Sequence, residues 1–346
     1  MARGNKELYG ELMRATARGD AEVLEALIPR AKSEGTLNDN LLRIGLQNAA
    51  KKGKAAAAKL LLQEGAPTDR TSDKGSPALF WAVTSPQTKG HHEVTELLLS
   101  HDYPNCPADK EWKDAEGRPI FMAAAWRGHN EALKMLLDDG AKFNTRDIYD
   151  RTVLHNLAFD KKCRWDEETI RIILDRDINV DARDNKSRTA LHWAAATGKP
   201  NLVTQLVTRT NYRAANVNAR TSRGKTALHL ACRVDIEHND RVSDSPMPRI
   251  VGTLLSHGAH PGLMSDGNWT CLHNTAKRQF TEDIAHLILE SDPTLINAKT
   301  TTGMTPLHVA AQFGNVHAVA RLLGCDGVKL NAKVRTPLLF DTVWPN

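Results

Sequence analysis

The sequence predicts an all-helical (all-α) repeat solenoid, its units joined by short β-hairpin turns and stacked to leave a concave groove. Three observations predict it. The string GMTPLHVAAQFG at Gly303–Gly314 has counterparts at Thr152-Val153-Leu154-His155, Thr189-Ala190-Leu191-His192, Thr226-Ala227-Leu228-His229 and Thr270-Cys271-Leu272-His273. With the threonine as reference, equivalent positions fall at Gly10, Ile44, Pro77, Pro119, Thr152, Thr189, Thr226, Thr270, Thr305 and Thr336, at intervals of 31 to 44 residues. Small residues also recur where the motif has decayed, as in Leu46, Ala49, Ala50 and Gly53, or Phe121, Ala124, Ala125 and Gly128. A unit of this length cannot bury its apolar face alone, so neighbours must stack into one continuous core.

Each unit is read in the same order. In the unit from Asp184 to Val217, Asn185-Lys186-Ser187 is a polar turn suited to a hairpin tip. Thr189 then caps a first helix, its hydroxyl accepting from an orphan backbone N–H. Leu191, Ala194 and Ala195 fall on one face of that helix. The alanines keep the face thin, so first helices approach closely. Gly198 ends the helix, where a left-handed residue is needed. Residues 201–209 give a second helix, with Leu202, Leu206 and Val207 toward the stack.

On this register the whole of 1–346 is one array, with units near 1–35, 36–70, 71–112, 113–145, 146–182, 183–218, 219–262, 263–298 and 299–331, and a partial unit or cap over 332–346. Three stretches, 83–91, 160–165 and 233–249, expand turns into projecting loops. A last unit starts at Thr336 with little chain left for a second helix. Either Leu338, Phe340 and Trp344 fold back as a cap over 305–323, or the sequence is a piece of a longer one.

The recurring T-P-L-H-x-A-A-x-x-G resembles the ankyrin-repeat family, whose period is about 33 residues. The resemblance covers nearly the whole chain. It implies a motif histidine bonded to the backbone of an adjacent unit. It also implies variable residues on the hairpin tips and on the exposed side of the first helix, lining a groove that binds protein partners.

Composition narrows the function classes. With 46 basic and 41 acidic residues the net charge is +5, too small an excess over this length to argue for nucleic acid. Five cysteines, an odd number with no C-x-x-C, read as reduced thiols and a cytoplasmic or nuclear setting. The first residues lack the apolar core of a secretory signal, and no apolar run approaches the ~18 residues of a membrane span. His257 and His260 have no second ligand cluster, so no metal is expected. Residues 219–226 mimic a phosphate-binding loop, but Gly224-Lys225-Thr226 is the repeat motif in register. No catalytic constellation stands out, and no cofactor is implied.

Mapping the register gives two sets of candidate partner-binding residues. The slot before the motif threonine holds Arg118, Arg151, Arg188 and Lys225 in four successive units, then Trp269 and Met304. Stacked, these form a basic ladder. It reads either as a rail for an acidic partner or as a set of ion pairs with Asp114, Asp147 and Asp184 of the tips. The second set is aromatic and its neighbours: Trp81 and Trp193 on first helices, Trp126-Arg127 at a helix end, and Tyr149 and Trp269 at tips.

The function expected is non-catalytic recognition of another protein with an acidic surface, as adaptor, scaffold or inhibitor. Self-association through the C-terminal face is the other contact expected. One alternative is an enzyme or small-molecule binder, using a groove pocket and the 233–249 insertion with His238, Asp240 and Asp244. The remaining one is nucleic-acid binding along the ladder.

Overall fold

A computed structural model describes residues 2–69, 75–100, 102–106, 108–160, 163–208, 214–233, 245–277 and 282–334. Contacts gather the chain into two compact units, Met1–Leu157 with Lys162–Ile178, and Ala158–Lys161 with Asn179–Asn346. The architecture is all-α. Among the described residues, β pairing is confined to two isolated antiparallel bridges, Lys113 to Pro119 and Ser265 to Trp269.

The first unit holds helices α1 (Ala2–Arg18), α2 (Ala21–Ser33), α3 (Asp39–Lys52), α4 (Ala55–Gln63), α5 (Ala78–Thr84), α6 (Lys89–Leu99), α7 (Ile120–Arg127), α8 (Asn130–Asp138) and α10 (Glu167–Leu174). Helix α9 (Val153–Phe159) begins in it. Helices α1, α3, α5 and α7 stack in one row and α2, α4, α6, α8 and α10 in another. The paired helices α1–α2, α3–α4, α5–α6 and α7–α8 bridge the rows.

The second unit repeats the plan. Its first helices are α11 (Ala190–Thr197), α13 (Ala227–Ala231), α15 (Cys271–Lys277) and α17 (Pro306–Gln312). Its second helices are α12 (Pro200–Val207), α14 (Met247–Ser256), α16 (Glu282–Ser291) and α18 (Val316–Leu323).

Sequence explains the rows. Ala49, Ala50, Ala124, Ala125, Ala194 and Ala195 are fully buried between first helices, where a larger side chain would push the row apart. Leu133, Leu136, Leu202, Val203 and Leu206 are equally buried on second helices and carry the apolar bulk. Helices α1 and α3 run 17 and 14 residues, against five to eight from α5 onward along that row. They belong to the stretch without a T-x-L-H motif, and α3 is capped instead by Asn38, whose side chain accepts from the Leu41 N–H at 2.9 Å.

Gly198 closes α11 at φ 73°, as the sequence requires, and a Cβ there would lie 3.1 Å from Pro246 Cγ. The expansion expected over 83–91 is smaller than its sequence span. Helix α5 runs on to Thr84 and α6 starts at Lys89, leaving only 85–88 outside helix. His91 lies inside α6, buried, with its ring against Thr88 Oγ1 at 2.9 Å and the Lys51 carbonyl at 3.3 Å. Most of the largest insertion, with His238, Asp240 and Asp244, lies outside the described residues, as do Leu338, Phe340 and Trp344.

Candidate functional site

The hairpin tips come first, because they set where the candidate residues point. Each tip is a closed five-residue turn. Its first residue donates to the carbonyl of the fifth and accepts from the N–H of the fourth: Asp114/Arg118 with Gly117, Asp147/Arg151 with Asp150, Asp184/Arg188 with Ser187, Thr221/Lys225 with Gly224, Ser265/Trp269 with Asn268, and Thr300/Met304 with Gly303. The fourth residue is left-handed in every tip, with φ of 73° at Gly117, 57° at Ser187 and 83° at Gly303. Neighbouring tips are joined by one backbone bond each: Ile148 N–H to Glu116 O, Ser222 to Lys186 O, Asp266 to Arg223 O, and Thr301 to Gly267 O.

The basic ladder divides at its fourth rung. Arg118, Arg151 and Arg188 each donate through Nε to the tip aspartate four residues earlier, at 2.8, 2.7 and 2.8 Å. The other oxygen of each aspartate accepts two backbone N–H groups of its own turn, so the carboxylate is the strut of the tip. The Asp147 and Asp184 side chains are fully buried. Burial pushes the Asp184 carboxyl up, but the hydrogen bonds from Arg188, Lys186 and Trp193 outweigh it and leave the group below its ordinary value.

Three rungs therefore form the tip ion pairs that the sequence offered as the second reading of the slot. Lys225 differs, because Thr221 stands where the other tips carry aspartate. The Thr221 hydroxyl takes the Lys225 backbone N–H at 3.1 Å and offers the ammonium no charge.

The aromatic candidates sit half-buried with cations over their faces. The Lys51 ammonium lies 4.7 Å from the centre of the Trp81 ring, Arg127 4.9 Å from Trp126, and Arg151 4.5 Å from Tyr149. Arg188 lies 3.8 Å over Trp193, whose indole N–H donates to Asp184 at 3.0 Å and whose ring meets Phe159 edge-on at 4.7 Å. Lys277 stands 6.0 Å from Trp269 and 4.8 Å from Phe313, which is 40% exposed. Lys51, Phe159 and Lys277 are functional-face residues that sequence reasoning missed. A basic residue at the end of a first helix, as at Lys51, Arg127 and Lys277, is the pattern that could have found two of them.

The motif histidines bind units together. In His192, His229 and His273 the ring Nδ1 accepts from the backbone N–H of the motif threonine, at 3.1 to 3.2 Å. This fixes the proton on Nε2, which donates to the next tip's carbonyl: Lys225 O at 3.1 Å, Trp269 O at 3.0 Å and Met304 O at 3.2 Å. Burial lowers all three, His192 and His273 to about 4, so the rings are neutral at pH 7.

Other features lie elsewhere. His257 binds the Thr253 carbonyl and His260 the Asn218 side chain, each as a local structural contact. The phosphate-loop mimic is a hairpin tip leading into the five-residue α13. A cavity of about 920 Å³ opens on the second-helix side, lined by His286, Leu289, Ile296, Arg321 and Cys325, none of them a sequence candidate. No described helix is long and apolar enough to cross a membrane.

Two rows of short helices, locked tip to tip, define a helical repeat protein whose variable side chains stand on tips and first helices. A family model described as ankyrin repeats (3 copies) matches residues 12–107, 46–147, 88–184, 154–242 and 241–334. The chain belongs to the ankyrin-repeat family, whose repeats generally mediate protein–protein interaction.

Proposed function

We propose that this chain is a non-catalytic recognition module, an adaptor, scaffold or inhibitor, whose repeat array reads a partner protein through its tips and first helices. The contact residues are Trp81, Arg118, Trp126, Arg127, Tyr149, Arg151, Arg188, Trp193, Lys225 and Trp269. One observation carries the reading: large aromatic rings stand half-exposed on this face, each clamped by a cation and, for Trp193, by a hydrogen bond as well. Aromatic and arginine side chains held in one conformation lose little entropy on binding and are the commonest anchors of interfaces. The partner surface is acidic, and the setting is cytoplasmic or nuclear.

The test is affinity capture with the full chain followed by mass spectrometry. The wild type is compared with Trp81→Ala plus Trp126→Ala, and with Lys59→Glu on the second-helix row. A partner retained by wild type and by K59E, and lost by the tryptophan variant at unchanged helicity, supports the reading. Equal loss in both variants, or no protein retained in stoichiometric amount, defeats it.

A further inference from the structure

Lys225 is the rung of the ladder without a tip acid, and its surroundings make that absence count. Among the described residues its ammonium makes no ion pair. Burial lowers its pKa, and the charges of Arg233, Arg223 and Lys277 lower it further, while only Asp266 acts in the other direction. Lys277 is itself lowered by burial and by Arg233. Like charges have thus been gathered where the low local dielectric magnifies their repulsion, an arrangement that an incoming anion relieves.

The neighbours supply the rest of a site. Lys277 lies between the faces of Trp269 and Phe313, the first half-buried on the next tip and the second 40% exposed at the end of α17. Trp269 is held in place, since His229 donates to its carbonyl at 3.0 Å and its own ring tilts against His273 at 5.7 Å. Cations and apolar walls are therefore presented by three consecutive repeats of the second unit.

We infer that Lys225 and Lys277, flanked by Trp269 and Phe313, form a recognition site for an acidic peptide segment that places an Asp or Glu carboxylate against the ammonium groups and an adjacent apolar side chain against the rings. The inference rests on the protein-recognition reading above and gives it a place and a partner chemistry. Two features favour a peptide carboxylate over a nucleic-acid strand. The cationic patch is confined to one cluster, because the neighbouring ladder arginine, Arg188, already serves its tip aspartate. A strand would need a continuous run of cations along its backbone.

The experiment pans phage-displayed random dodecapeptides on the full chain and measures the best binder by fluorescence anisotropy. The variants are Lys225→Glu with Lys277→Glu, and Lys59→Glu as a distant control. Selected peptides are expected to carry clustered Asp or Glu beside an apolar residue. Their affinity should fall by about ten-fold or more in the double reversal, remain in K59E, and weaken with rising salt. Circular dichroism and thermal melting of the double reversal keep a folding defect from passing as a binding one.

Selection of peptides without acidic enrichment, or equal binding by the folded double reversal, overturns the inference while leaving protein recognition standing. Tighter binding of an oligothymidylate of equal charge than of the selected peptide overturns it as well. If no peptide is enriched at all, the recognition reading falls with it.

Discussion

Arg188 and Lys225 occupy equivalent places one unit apart, yet they are different kinds of residue. Arg188 neutralises a fully buried carboxylate, covers the Trp193 ring and is part of the tip's construction. Lys225 neutralises nothing in its own tip. Charge reversal should separate them. Arg188→Glu sets a second carboxylate against buried Asp184 and should lower unfolding free energy by about 3 kcal/mol or more. Lys225→Glu removes repulsion with Arg233, Arg223 and Lys277, and should change stability by less than about 1 kcal/mol. Urea unfolding of the two variants measures the contrast, and equal destabilisation would show that both rungs are structural. Reversing Arg151, Arg188 and Lys225 together would consequently mix a binding effect with a folding one. The aspartates four residues ahead of each arginine were visible in the sequence. What sequence could not display was which aromatic ring receives a cation, because Lys51 and Lys277 reach theirs from helix ends.

At the scale of the element, the first helices were the most legible part of the chain. Their start chemistry, a threonine three residues before a histidine, fixes residue types rather than mere hydrophobicity. The same pair, Thr88 and His91, marks the start of α6, where the turn was read as too long; the constellation was present in the sequence at a second-helix position. Second helices start without such a signature in several units, and their bounds follow from burial alone. Helix ends are equally specific where glycine supplies them. Gly198 combines a φ of 73° with contact distances of 3.1 and 3.4 Å from its would-be Cβ to Pro246 and Met247. Gly198→Val should therefore destabilise by about 2 kcal/mol or more, combining left-handed strain with a steric shift of α14. A thermal melt unchanged from wild type would contradict this account of the α11 terminus.

At the scale of the whole molecule, acid sensitivity is built into the joints between repeats. His192, His229 and His273 are held neutral in the folded chain and titrate near the ordinary 6.5 when unfolded. A folded value below the unfolded one means that this contribution is complete above pH 6.5 and is lost as pH falls toward 4. At pH 5 the loss is about 2 kcal/mol for each ring whose folded value is near 4. Carboxylates titrate mostly below that point, so urea unfolding at pH 7 and pH 5 isolates the histidines. A free energy of unfolding that stays level over this window would mean the rings are not held neutral. The tip-to-tip bonds have a different consequence. Every one runs the same way, from the second residue of a later tip to the third residue of the tip before it, as in Thr301 to Gly267. The array thus has a grammar: each module ends with an acceptor that only a following module can read, and begins with a donor that only a preceding one can satisfy. Cutting out or duplicating one whole period between like tips preserves that syntax, whereas an insertion of any other length inside a tip garbles it. Length is accordingly the property such a chain can change most freely over generations.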